Sequence, residues 1–443
     1  MTATWSLWRL LRRRGASSSD PQRLTTTLAI IAFAVATALL LVVLGGVGAF
    51  VDRAAAPGAD ADAESYVMFA WIASGLLVVP LTTLGAAAAR LAVARRDARL
   101  AALRLAGAST GQVTGLTVLD ATAQAVTGAL LGVLGYLALI PLVSLLRFQG
   151  RTFELAELWT GVPIILAALA GVVLIAVVSS TMSLRRVAIT PLGVANRVQP
   201  PGLTWLRAAV AVGAVIVFAV VTTSFGQVGL SVIGVMLVLG FTTLNLVGPF
   251  TVWVVGRVTA HRARTAATLL AGRRMIDDPK TAWRSVGGVA LATFIAGLAS
   301  ITSLFSSASS GASPEDAQFL GDVATGGYLT LGIAGLLAAV STGVMQAGNV
   351  IAQREEYRAL SLAGTDLRVL DSARMRETFI PLVVTVGTSA GFALLFMLPV
   401  LGAGMIAQWS VVVQFVVSVG VAAGLVLAGA AASRTVVREV VRV

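Results

Sequence analysis

Ten apolar runs, each about 20 residues or longer, leave this chain few ways to fold. A helix rises 1.5 Å per residue, so a run of that length crosses the hydrocarbon of a bilayer. The runs lie at roughly 24–50, 66–93, 112–146, 160–184, 207–225, 228–256, 285–306, 324–351, 372–403 and 408–433. Only the stretch around Ser224 to Gln227 separates the fifth from the sixth, which suits a tight outer turn. The chain is 57% hydrophobic and 12% charged, and its mean hydropathy is +0.91. No soluble protein of 443 residues needs that much apolar surface. The expected fold is an all-α polytopic membrane protein.

The first run, Leu24 to Val51, is far longer than the apolar core of a signal peptide, so it is expected to be a retained span. Before it, Trp5 to Arg14 is short, basic and amphipathic, as an interfacial helix would be. The net charge of +12 invites a nucleic-acid partner, but its location argues against one. With the N-terminus inside, 29 of the 32 basic residues fall in cytosolic segments, and Arg53, Arg147 and Arg151 lie outside. The positive-inside rule then predicts that both termini are cytosolic. The absence of cysteine excludes a disulfide framework and a thiolate metal site, and the lone His261 has no ligand partner nearby.

Outer loops are short. The longest, near 307–323, is rich in Ser, Gly and Pro and reads as a flexible connection. The division predicted is a cytosolic amphipathic helix (1–23), a four-span unit (24–200), a two-span linker with a basic cytosolic segment (201–284) and a second four-span unit (285–443). In this 4+2+4 arrangement all spans alternate in direction, so the two units share one orientation. They are parallel repeats about an axis along the membrane normal.

One short charged segment occurs in both units. Residues 95–109 read RRDARLAALRLAGAS and residues 352–366 read AQREEYRALSLAGTD. Aligned on Gly107 and Gly364, they share Ala102/Ala359, Leu103/Leu360, Leu105/Leu362 and Ala106/Ala363. Each is predicted to be a helix of about three turns at the cytosolic surface, with glycine where the helix ends. Leu100 and Leu103 share one face, and Tyr357 and Leu360 take the same places in the second copy. Thirteen residues past each glycine stands an acid, Asp120 and Glu377. These acids are either wet and paired with nearby arginines such as Arg374 or Arg376, or carboxylates that couple protons within the membrane.

These segments resemble the FtsX-like permease domain of bacterial ABC transporters, whose mark is a cytosolic helix ending in a Leu-Arg-Ala-Leu-Gly-Ala-like run. Here that run is Leu103 to Ala108 and, more weakly, Leu360 to Gly364. The family's glutamate eight residues before the glycine is Glu356, while the first copy has Arg99. Its arginine three before the glycine is Arg104, replaced by Ser361 in the second copy. Asp120 and Glu377 match its glutamate about thirteen past the glycine, and Arg185 to Pro191 matches the stretch that closes a four-span unit. The layout is most similar to the bacitracin-export permease type, without the large extracellular domain of that type between spans seven and eight.

The resemblance implies two FtsX-type units and two coupling helices that dock a cytosolic ABC ATPase homodimer, one permease per two ATPases. Arg99, Leu100, Leu103, Arg104, Gly107, Glu356, Tyr357, Leu360 and Gly364 would form the docking site, with Asp120 and Glu377 as structural acids. It also implies the plasma membrane of a bacterium, contact with membrane lipid, and export or extraction of an amphipathic, lipid-like or peptide substrate by mechanotransmission, with antimicrobial resistance as one such role.

The sole lysine, Lys280, follows Pro279 and sits in no glycine-rich phosphate loop. The chain is therefore expected not to be an enzyme and to hold no cofactor or metal itself, with ATP and Mg bound by the partner. Two other functions stay open: an ATPase-driven signal transducer acting on an extracytoplasmic partner, and an ion-coupled carrier. The carrier would draw on Gln124, Asn245, Gln346, Asn349 and Gln414.

Overall fold

The computed structural model describes residues 21–58, 62–93, 109–188, 213, 230–308, 314–352, 364, 367–401 and 409–441. Ten helices are described: α1 (Pro21–Ala55), α2 (Ala63–Val93), α3 (Thr110–Val143), α4 (Gly161–Ala188), α5 (Leu230–His261), α6 (Ala266–Asp277), α7 (Pro279–Ala308), α8 (Pro314–Ala352), α9 (Leu367–Leu401) and α10 (Trp409–Val441). Between α3 and α4 stands a small antiparallel hairpin, β1 (Arg147–Phe148) and β2 (Arg151–Thr152).

The helix starts follow local chemistry. Both α1 and α7 open on a proline, whose missing N–H is no loss in the first turn. Asp278 caps α7 by accepting from the Thr281 backbone N–H at 3.0 Å and from its hydroxyl at 2.6 Å. At the head of α3, Ser109 and Gln112 form a reciprocal capping box.

Eight helices are long and apolar enough to cross a membrane, and they coincide with predicted spans one to four, six and eight to ten. Midway along several of them leucines point outward; Leu134 is 61% exposed and Leu174 62%. Water would penalise such a belt, and lipid welcomes it. The seventh predicted span, 285–306, lies in α7, which is enclosed by protein over its middle turns. From Val289 to Ala296 no residue is more than 3% exposed. The fifth predicted span, 207–225, and the amphipathic helix before residue 21 lie outside the described residues.

Around α7 pack α5, α8, α9 and α10, while α1 packs between α2 and α3; α2 and α8 join the two groups. One core cluster runs through both, with Phe33, Leu77 and Leu84 from the first and Trp283, Phe294 and Leu337 from the second. Close approach is bought with small residues. A Cβ on Gly128 would lie 2.6 Å from Phe33 Cβ, and one on Gly132 2.6 Å from Ala34 O, so this pair seats α3 on α1. A pair of the same spacing in the second unit, Gly387 and Gly391, has no described residue within 4 Å of a Cβ at either. Both lie on the outward face of α9.

Candidate functional site: the two ends of the bundle

At the arginine-rich end, α6 folds back along the last turns of α5. Gly256 admits Met275, and Gly272 admits Ala260, because neither glycine has room for a Cβ. The inner face of α6 is Ala267, Ala271, Gly272 and Met275, and its outer face shows Leu269, Leu270 and Arg273 to solvent. Thr265 caps its start.

From this position α6 grips α9. Arg274 Nη1 lies 2.6 Å from Glu377 Oε2. Arg376 Nη1 donates to Thr265 Oγ1 at 2.6 Å and also to Thr268 Oγ1. Two neighbouring residues of α9, about 100° apart around the helix, thus hold both ends of α6. A third tie lies deeper. Trp283 Nε1 donates to Asn245 Oδ1 at 3.3 Å, and its indole fills the space left by Gly248.

Glu377 is paired with an arginine, but the described partner is Arg274, 103 residues away; the side chain of Arg374 lies outside the described residues. Arg376 is committed to the threonines of α6, and the hairpin of α5 and α6 delivers a guanidinium that local spacing could not reveal. Gly364, three residues before α9, is exposed and has φ of +88°, the left-handed conformation suited to ending the second insert. Asp120 sits partly buried on α3. The remaining predicted docking residues, Arg99, Leu100, Leu103, Arg104, Gly107, Glu356, Tyr357 and Leu360, lie outside the described residues. Among the polar residues considered for a carrier, Asn245 is engaged by Trp283 and by its own bond to Phe241 O at 3.0 Å. Gln414 donates to the Tyr328 hydroxyl. Gln124 is buried with its Oε1 unpartnered among the described residues.

The opposite end carries a built cap that sequence reasoning missed. Arg53, at the end of α1, has a side chain only 2% exposed. Its Nη2 reaches Glu157 Oε2 at 2.7 Å and Thr152 O at 3.0 Å, its Nε reaches Glu157 Oε1 at 3.1 Å, and its Nη1 reaches Phe148 O at 3.1 Å. The guanidinium also lies 4.3 Å from the Phe153 ring centroid. The bidentate bond from Arg53 holds the Glu157 carboxyl below its usual range. Phe50, Tyr66, Phe148 and Phe153 pack edge to face or stacked around this pair. The only signal in the sequence was that Arg53 is one of three basic residues placed among acids on the outer side.

The loop near 307–323, read as flexible, is in part ordered: α8 begins at Pro314. Phe319 meets Tyr66 edge to face at 5.2 Å, and Asp322 accepts from the Tyr66 hydroxyl at 2.8 Å and from the Gln149 N–H at 2.6 Å.

The chemistry on display is mechanical: helices clamped in pairs by charge and by close packing. Residues 71–192, from α2 through the hairpin to just past α4, match the family model described as FtsX-like permease C-terminal. Permeases of this family generally work with a cytosolic ABC ATPase. No curated protein and no solved structure matches the chain. Over residues 71–192 this multi-pass membrane protein is similar to the FtsX-like permease domain.

Proposed function

We propose that the chain is the permease subunit of an ABC transporter of the mechanotransmission type, in which a separate ATPase homodimer drives export or extraction of an amphipathic, lipid-like or peptide substrate. In this reading the arginine-rich end faces the cytosol of a bacterial cell, at its plasma membrane. The ten spans form a 4+2+4 arrangement of two parallel FtsX-type repeats. The inserts at 95–109 and 352–366 are coupling helices, one for each ATPase, so one permease serves two. ATP and Mg belong to the partner.

The observation that carries this reading is the clamp between α6 and α9. The second insert ends at Gly364, and α9 begins at Leu367. A push on that insert therefore enters α9 at its first turn. Arg274–Glu377 and Arg376–Thr265 tie α9 to α6, and α6 packs on α5. Displacement of one short segment would thus be shared by three helices instead of being lost in one flexible joint. A carrier reading is weakened because Asn245 is held by structural bonds.

The test is purification of the chain with and without its ATPase. The chain alone should not turn over ATP, and the assembly should contain two ATPases per permease. ATP turnover by the chain alone, or two copies of the chain per ATPase dimer, contradicts the proposal.

A further inference from the structure

We infer that Asp322 is the pin of a latch that closes the two helix groups against each other at the hairpin end, and that parting of α2 from α8 there requires the latch to let go. Asp322 belongs to α8, and both groups that it accepts from belong to the other half of the chain. One is the Tyr66 hydroxyl, in the first turn of α2. The other is the backbone N–H of Gln149, at the tip of the hairpin.

The hairpin is shaped to present that N–H. Gln149 has φ of +56° and Gly150 +73°, as a two-residue turn with the twist of its strands requires. The pairing ends at Phe148 and Arg151, so the amide of a turn residue stands outside the ladder. Gly150 is the residue that fits against α8, since a Cβ there would lie 3.3 Å from Gln318 Nε2. Behind the turn, Arg53 ties Phe148 O, Thr152 O and Glu157 to the end of α1. The tip is thus a rigid donor held by α1, and it meets an acceptor on α8.

The location gives the contact leverage. Along the spans α2 and α8 meet through packing, and lipid supplies little hydrophobic force to hold apolar helices together. A carboxylate accepting two hydrogen bonds is strong by comparison. The inference concerns a motion of this chain alone, so it stands or falls independently of which ATPase or substrate is involved.

The experiment uses the full chain in lipid nanodiscs, with spin labels on Ala55→Cys and Ala317→Cys, two exposed positions outside the latch in a chain without native cysteine. The parent should give one narrow distance distribution. Asp322→Ala should raise the fraction at longer distance about tenfold, the change expected for losing charge-assisted bonds. Tyr66→Phe, which removes one bond and keeps the ring, should raise it by a smaller factor. It decides the matter if Asp322→Ala does not fold. Distances identical to the parent overturn the latch, whether or not the melting temperature falls, because a purely structural contact would lower stability without widening the gap.

Discussion

Arg274 and Glu377, 103 residues apart in sequence, meet at 2.6 Å and join the helix that follows the second insert to the short helix α6. The pair is about a quarter to a third exposed, so its direct contribution to stability is small, on the order of 1 kcal/mol or less. Its consequence is geometric: it fixes where the first turns of α9 stand. Arg274→Glu or Glu377→Arg alone should leave folding near normal and uncouple ATP hydrolysis from transport. The charge-swapped pair should restore coupling. Full coupling in both single variants, measured as substrate-stimulated ATPase, would show that the clamp plays no part in transmission.

At the other end the balance reverses, because Arg53 is buried. Removing Arg53 leaves Phe148 O and Thr152 O without their donor and Glu157 with only Arg151 at 3.5 Å, a loss of about 1.5–3 kcal/mol for each charge-assisted bond. Arg53→Met is therefore expected to release the hairpin. Hydrogen exchange across residues 147–158 should rise by orders of magnitude, while exchange in α7 stays slow. Unchanged protection of the hairpin would mean that the aromatic cluster holds the cap without the arginine.

Acid should loosen the same cap. Arg53 lowers the Glu157 pKa, so the unfolded segment binds a proton more readily than the folded one. The stabilisation is present above the usual glutamate range and is lost as pH falls through the depressed value. Hairpin protection, corrected for intrinsic exchange, should decline below about pH 4.5. In Glu157→Gln that acid step should vanish. A step of equal size in the variant would place its origin in another group.

The glycine pairs offer a contrast within one chain. Gly132→Val puts a side chain where Ala34 O and Thr37 leave no room, and overpacking of this kind costs about 1–3 kcal/mol. Gly387→Val meets open space and should change stability by about 0.5 kcal/mol or less. Thermal unfolding in one detergent compares them directly. Equal losses would contradict the packing described.

Period and length made most of the helices legible in the sequence. Spans one to four, six and eight to ten needed only runs of apolar residues, since lipid imposes that requirement segment by segment. The left-handed conformation of Gly364 was legible for a similar reason, since a turn at glycine is a local event. Contacts between distant segments were not legible. Nothing near Arg53 in sequence indicates that Phe148, Thr152 and Glu157 surround it, and nothing near Glu377 indicates Arg274. Gly387 and Gly391 show that spacing marks a face that could pack but not whether a neighbour occupies it. The helix α6 was hidden by its arginines, which made the stretch before residue 285 read only as a basic cytosolic segment. The alternation of Ala267, Ala271 and Met275 with Leu270 and Arg273 was the available signal.

The most direct test of the central claim is recovery of the ATPase with the double variant Leu103→Ala, Leu360→Ala. Burial of one large apolar side chain is worth about 1.5–3 kcal/mol, enough to loosen a docked three-turn helix but little against the packed spans. The account predicts normal membrane insertion of the double variant, with loss of the ATPase from the purified assembly or loss of substrate-dependent ATPase activity. An assembly that retains its ATPase and transports like the parent would show that the two inserts are connectors, and the force-transmitting role assigned to them would fall.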